Sequence, residues 1–176
     1  MAVPVLVLQP FAVQRRAAGR AAQQEAAAVL LEKDWGVAAD VWSATSFTEL
    51  RREGLAVERW NLLHPEDKPR VPYVTRALAE RPAGPVIAAT DYMKTFAEQI
   101  RPFVPRERVY RVLGTDGFGR SDSRAKLRYF FEVNRHFVAV AALKALAEQG
   151  MGTAKTVAEA IRKYGIDPSK PDPTTV

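Results

Sequence analysis

Three adjacent polar pairs stand just after apolar, strand-like runs: Thr45-Ser46, Thr90-Asp91 and Thr115-Asp116. Such pairs accept hydrogen bonds from exposed backbone N–H groups, and they serve equally well to line a polar binding edge. A denser cluster follows at residues 114–124, GTDGFGRSDSR, where three glycines fall within six residues. Glycine permits positive φ and close approach of another backbone. Arg120 and Arg124 flank Asp122 there, an arrangement suited to an ion-pair lattice or to gripping an anion. The run lacks the lysine of a triphosphate-binding loop and departs from dinucleotide-binding spacing. The two histidines, His64 and His136, match no metal-ligand spacing, and no nucleophile-elbow pattern surrounds a serine. Zero cysteines exclude disulfides, thiolate zinc sites and a cysteine nucleophile. From residue types alone, no complete active site assembles.

The elements that must position these residues read as strands alternating with helices. Residues 3–8 form a continuous apolar run with β-branched valines, the pattern of a strand buried on both faces. Residues 14–34 are alanine-rich and predict a helix, with Ala26, Val29 and Leu30 as its apolar side and Gly36 as its stop. A second strand is predicted over 37–44, then a short helix over 47–53 ended by Gly54. Residues 58–72 are rich in proline and charge and read mostly as a loop, leading into a helix over 73–80.

The second half repeats the pattern. A turn cluster at 81–85 precedes a third strand over 86–89. Met93, Phe96, Ile100 and Phe103 then predict an amphipathic helix over 92–104, stopped by Pro105. A fourth strand falls at 109–113, and Ser123 caps a helix through Phe131. Residues 136–147 hold almost nothing polar except Lys144, so that helix is expected to be buried. Thr153 caps a last helix carrying Val157, Ala160, Ile161 and Tyr164, closed by Gly165. Residues 167–176, with three prolines, read as a loosely held strap. The expected fold is α/β: an open, mainly parallel sheet flanked by helices, with further helices toward the C-terminus and right-handed crossovers. Parallel strands point their carboxyl ends one way, so the three polar pairs fall on one rim. That rim is either a binding edge or a row of helix caps.

Length and charge narrow the class. At 176 residues the chain is about one domain. No apolar run approaches the ~20 residues of a membrane-spanning helix, and the first eight residues lack the pattern of a signal peptide. The absence of cysteine fits a reducing, cytoplasmic setting. The net charge of +6 raises the question of nucleic acid. Residues 101–136 hold nine Lys/Arg against four acids, yet no helix-turn-helix, zinc-finger or RNA-recognition signature accompanies them. The distribution argues against a nucleic-acid partner and for an interface or a solvated face.

Five stretches, in this order along the chain, resemble the C-terminal domain of the homodimeric bacterial pyruvate dehydrogenase decarboxylating (E-one, acetyl-transferring) component. They are VWSATSFTEL at 41–50, ERWNLLHP at 58–65, PRVPY at 69–73, ATDYMK at 89–94 and GTDGFGRSDSR at 114–124. That component belongs to the transketolase-like, thiamine-diphosphate-dependent class. The resemblance covers residues 35–176 as a transketolase C-terminal-like domain. Residues 1–34 form an atypical first strand and helix, reading QPFAVQRR where the family has a small, glycine-bearing turn.

The resemblance implies a C-terminal domain, or a truncated form, of an enzyme that decarboxylates pyruvate on thiamine diphosphate and acetylates a lipoyl group. In that family the preceding domains hold the diphosphate and magnesium motif, the cofactor-activating glutamate and the pyruvate-site histidines, none of which maps here. The expectation is therefore no catalytic, cofactor-binding or metal residue in this chain, and no activity alone. Thiamine diphosphate and Mg belong to the full-length family. The implied partners are the parent's cofactor-binding domains, a homodimer mate and the lipoyl acyltransferase complex. Thr45, Ser46, Thr90, Asp91, Thr115, Asp116, Arg120, Asp122 and Arg124 become an interface or channel rim. The alternative is an independent anion or small-molecule binding module using the loop at 114–124.

Overall fold

The computed structural model of the protein describes residues 5–10 and 21–176. Four strands, β1 (Val5–Pro10), β2 (Ala39–Ala44), β3 (Val86–Ala89) and β4 (Tyr110–Leu113), form one sheet in the order β2-β1-β3-β4. Every pairing is parallel. Val5 lies opposite Ala39 and Pro10 opposite Ala44; Leu6 lies opposite Val86, and Val86 opposite Tyr110. The α/β class with a parallel sheet is the one the pattern predicts. Residues 3 and 4 of the expected first strand, and 14–20 of the expected first helix, lie outside the described residues.

Helices cover both faces. On one, α1 (Ala21–Trp35), α6 (Arg135–Glu148) and α7 (Ala154–Lys163) pack Ala27, Leu31, Val138, Ala142, Leu146 and Ala160 against Ile87 and Ala89 of β3. On the other, α2 (Phe47–Leu63), α3 (Tyr73–Ala79), α4 (Lys94–Glu98) and a 3₁₀ turn (Arg101–Phe103) bring Phe47, Leu78, Ala97 and Phe103 onto Val86, Ala88 and Tyr110. Successive residues of β3 thus alternate between two cores, as the strand period requires. Arg108 closes the lower end of the second core, its guanidinium donating to the carbonyls of Leu78, Arg81, Pro82 and Gly84. A seventh helix, α5 (Arg124–Phe130), follows β4 and lies beyond the sheet's carboxyl edge.

Three helix expectations are corrected. The helix at Phe47 does not stop at Gly54 but runs to Leu63, so 58–63 are helical and only the stretch beyond is loop. Gly54 is there for closeness: a Cβ on it would meet the Phe103 ring at 2.5 Å. The amphipathic helix over 92–104 breaks into α4 and the 3₁₀ turn. Its first residues bond to the loop after β4 instead, Thr115 N–H donating to Tyr92 O, and Pro102 supplies no N–H to continue the ladder. The apolar side of α1 is Ala27 and Leu31, with Val29 60% exposed.

Other turns follow the sequence signals. Gly36, Gly150 and Gly165 all adopt positive φ past helix ends. Ser46, Ser123, Asn134 and Thr153 cap α2, α5, α6 and α7. Asp34 of α1 accepts from Lys163 and from the Tyr164 hydroxyl, and Trp35 Nε1 donates to the same hydroxyl at 2.8 Å, tying the first helix to the last. The hydrogen bond from Lys163 holds the Asp34 carboxyl below its ordinary range.

The C-terminal strap is held firmly. Lys170 Nζ, on a side chain only 10% exposed, donates to Phe130 O at 3.0 Å, Glu132 Oε1 at 2.8 Å and Pro171 O at 3.2 Å. It also lies within 6 Å of the Phe130 and Phe137 rings. Glu132 sits at φ 60, a left-handed conformation costly for a side-chain-bearing residue, and the ammonium fixes it there. Beyond Lys170, Pro173 is buried and lays its carbonyl across Gly117, where φ is 110 and a Cβ would stand 2.0 Å from that oxygen.

Three outcomes are expected. Gly54→Ala costs about 1–3 kcal/mol, as overpacking does, despite alanine's better helix propensity, and lowers the urea midpoint. Because Asp34 is depressed in the folded state, its pairing stabilises the fold above the ordinary carboxylate pKa and is lost as pH falls through the depressed value. Asp34→Asn therefore weakens the protein at neutral pH and flattens its acid-side loss, read by thermal melts between about pH 7 and 3. Lys170→Met frees the strap, so that the amide protons of Thr174 and Thr175 exchange about tenfold faster while the sheet stays protected, as breaking a charge-assisted network does.

Candidate functional site

The polar pairs divide when placed on the fold. Ser46 caps α2, its hydroxyl accepting from Glu49 N–H at 3.2 Å. Thr45 is exposed beside it at the end of β2, the edge strand farthest from β4. Thr90 is buried at the end of β3; its N–H reaches Leu113 O at 2.9 Å and its hydroxyl accepts from Tyr92 N–H at 3.1 Å. Asp116 accepts from Lys94 N–H at 2.9 Å, with the Lys94 ammonium 4.0 Å away. Asp122 accepts from Ser123 N–H at 2.6 Å and lies 3.7 Å from Lys126 Nζ. For these residues, capping and turn closure account for the chemistry.

A second group converges on an open groove of about 350 Å3 beyond the carboxyl ends of β3 and β4. Thr115 stands at its base, donating its hydroxyl hydrogen to Asp91 O at 3.2 Å. The Asp91 carboxylate lies 3.7 Å from Arg128 Nη2 on α5. Arg120 and Arg124 line the same groove, the Arg120 guanidinium lying 4.2 Å from the centre of the Phe130 ring. Leu127, Phe131 and Val133 supply the apolar floor, and Phe118 stands at the tip of the glycine turn, 75% exposed. Gly114 lets this turn approach: a Cβ there would meet Tyr92 O at 2.6 Å. The groove is cationic on one wall and apolar beneath.

Reading the sequence locates Asp91, Thr115, Arg120 and Arg124 but misses Arg128 and Phe118. The signal for Arg128 is its spacing: Arg124 and Arg128 stand four apart on the helix that Ser123 caps, hence on one face. Gln24 is also absent from that reading. It is 6% exposed, its Nε2 3.4 Å from Ala89 O and its Oε1 unpartnered among the described residues.

The histidines do structural work. His64 donates its Nδ1–H to Trp60 O at 2.8 Å and stacks on the Trp60 ring at 4.4 Å. His136 stacks on Tyr164 at 4.9 Å, and burial depresses its pKa. Among the described residues no group of three or more His, Asp or Glu side chains converges as a cation would require. No helix among them is long and apolar enough to cross a membrane.

Comparison with known proteins places this geometry. Residues 17–134 match the model of the transketolase-like TK C-terminal domain. The pyruvate dehydrogenase E1 component of Pseudomonas aeruginosa is 65% identical over 149 residues, which are 85% of this chain and 17% of that protein. The component of the same name from Cupriavidus necator is 62% identical over 151 residues, and that of Escherichia coli K12 is 56% identical over 147. The chain thus spans only 16–17% of the length of the curated relatives it matches. A solved structure described as a split-gene transketolase, inactive beta4 tetramer, aligns with a TM-score of 0.54 at 17% identity, covering 84% of this chain and 40% of that one. On a parallel sheet with this strand order and these matched residues, the chain belongs to the transketolase-like C-terminal domain family and matches the C-terminal part of the pyruvate dehydrogenase E1 component.

Proposed function

We propose that this chain acts as the C-terminal domain of a pyruvate dehydrogenase decarboxylating component, structural and interface-forming, without activity alone. One observation carries the reading: 85% of the chain aligns at 65% identity with a relative of which it makes up 17%. The parent reaction decarboxylates pyruvate and passes the acetyl group to the lipoyl arm of an acyltransferase in the cytoplasm. Thiamine diphosphate, when bound in the parent, supplies the carbanion chemistry. In this reading the diphosphate and its magnesium are held by the parent's preceding domains.

The carboxyl-edge rim is the face this domain turns to the cofactor-binding domains and to the homodimer mate. Thr45, Ser46, Thr90, Asp91, Thr115, Asp116, Arg120, Asp122 and Arg124 sit along it or in its turns. Phe118 supports the assignment, because an aromatic side chain 75% exposed at the tip of a glycine turn is what a partner surface covers. An obligate contact of this kind buries roughly 2,000 Å2 or more.

Two measurements test the reading. The purified chain with thiamine diphosphate, magnesium and pyruvate releases no carbon dioxide; turnover by the chain alone overturns the proposal. A chimera of the Pseudomonas aeruginosa component, with this chain replacing its matching segment, retains pyruvate decarboxylation within about tenfold, a loss of no more than ~1.4 kcal/mol in barrier. A chimera that folds and dimerises but is inactive overturns it.

A further inference from the structure

The groove beyond β3 and β4 carries charge that the fold itself does not use. Asp91 is the only carboxylate among its lining residues, and it lies 3.7 Å from Arg128. Arg120 and Arg124 form no ion pair among the described residues, though both line the groove. Among the described residues, two guanidinium charges at one wall therefore lack a carboxylate partner.

Two of the groove's guanidinium groups are held in place. Arg128, with a side chain only 12% exposed, is oriented by Asp91, and Arg120 is laid against the Phe130 ring. Guanidinium groups fixed in plane lose little freedom when they grip a planar or tetrahedral oxyanion. The Thr115 hydroxyl stands nearby at the base. Leu127, Phe131 and Val133 form a floor that water solvates poorly. At about 350 Å3 the space falls at the small end of ligand pockets, enough for one ring with one charged group.

We propose that this groove binds a small organic anion, with its phosphate or carboxylate on Arg120 and Arg124 and its apolar body over Leu127, Phe131 and Val133. The requirement for both parts distinguishes this site from a merely basic surface. A bare ion meets the guanidinia but leaves the floor in water. The groove lies on the rim that the proposed function turns toward the other domains, and the chain by itself leaves it open to a small molecule.

Calorimetric titration of the full chain with phenyl phosphate, benzoate and inorganic phosphate tests the proposal. Phenyl phosphate or benzoate is expected to saturate, about tenfold tighter than inorganic phosphate, the better of the two naming the head group. Arg120→Ala and Arg124→Ala each weaken it about tenfold, and raising salt to about 0.5 M weakens it further. Arg162→Ala, on the exposed side of α7, leaves it unchanged. Circular dichroism confirms that each variant folds, and the exposed position of Arg124 makes a folding defect there readily separable. Absence of saturation below about 10 mM, or equal binding by an Arg120→Ala/Arg124→Ala double variant, overturns the site. So does inorganic phosphate binding as tightly as the aromatic probes. Each of these results leaves the chimera experiment unaffected, so the two readings fail separately.

Discussion

Everything in this domain hangs on a central strand sealed from both sides. Val86, Ile87, Ala88 and Ala89 are at most 1% exposed, and each neighbour across the sheet is parallel. Such a strand can leave the sheet only where its backbone finds new partners. At its carboxyl end Thr90 provides them, bonding Leu113 through its N–H and Tyr92 through its hydroxyl. The turn after β4 is then drawn onto the turn after β3 by Thr115 and Asp116. The groove exists because these two exits are laced together. Small residues permit the tight layering: Ala88 and Ala89 in the strand, and Ala97 and Gly54 in the helices above it.

How much of this the sequence discloses depends on the range of the interaction. The four strands, the parallel class, the caps at Ser46, Ser123 and Thr153, and the breaks at Gly36, Gly150 and Gly165 follow from local pattern, with the first strand reaching Pro10, two residues past its expected end. Gly54 shows the limit. A glycine after a short amphipathic stretch signals a stop, but here the ring of Phe103, far along the chain, needs the space. Tertiary packing overrides propensity at that position.

The candidate site divides in the same way. Ser46, Asp116 and Asp122 are polar because helix starts and turns need acceptors, and their spacing announces that role. The groove-forming set depends on how α5 lies over the rim, a packing angle that no periodicity encodes. The strap was equally hidden. Its prolines suggest looseness, whereas one lysine buried between a carbonyl, a carboxylate and two rings holds it down.

That anchoring bears on how the molecule is handled. The backbone at Pro173 forms part of the wall around the glycine turn, and Val176 lies just past it, half exposed. Any purification tag or fluorescent fusion joined after Val176 would therefore start three residues past the carbonyl packed on Gly117 and load the segment that seats that turn at the mouth of the arginine-lined cleft. Labels are better carried on the solvent side of α7, at Arg162 or Lys155, where a dye can swing freely without approaching that mouth.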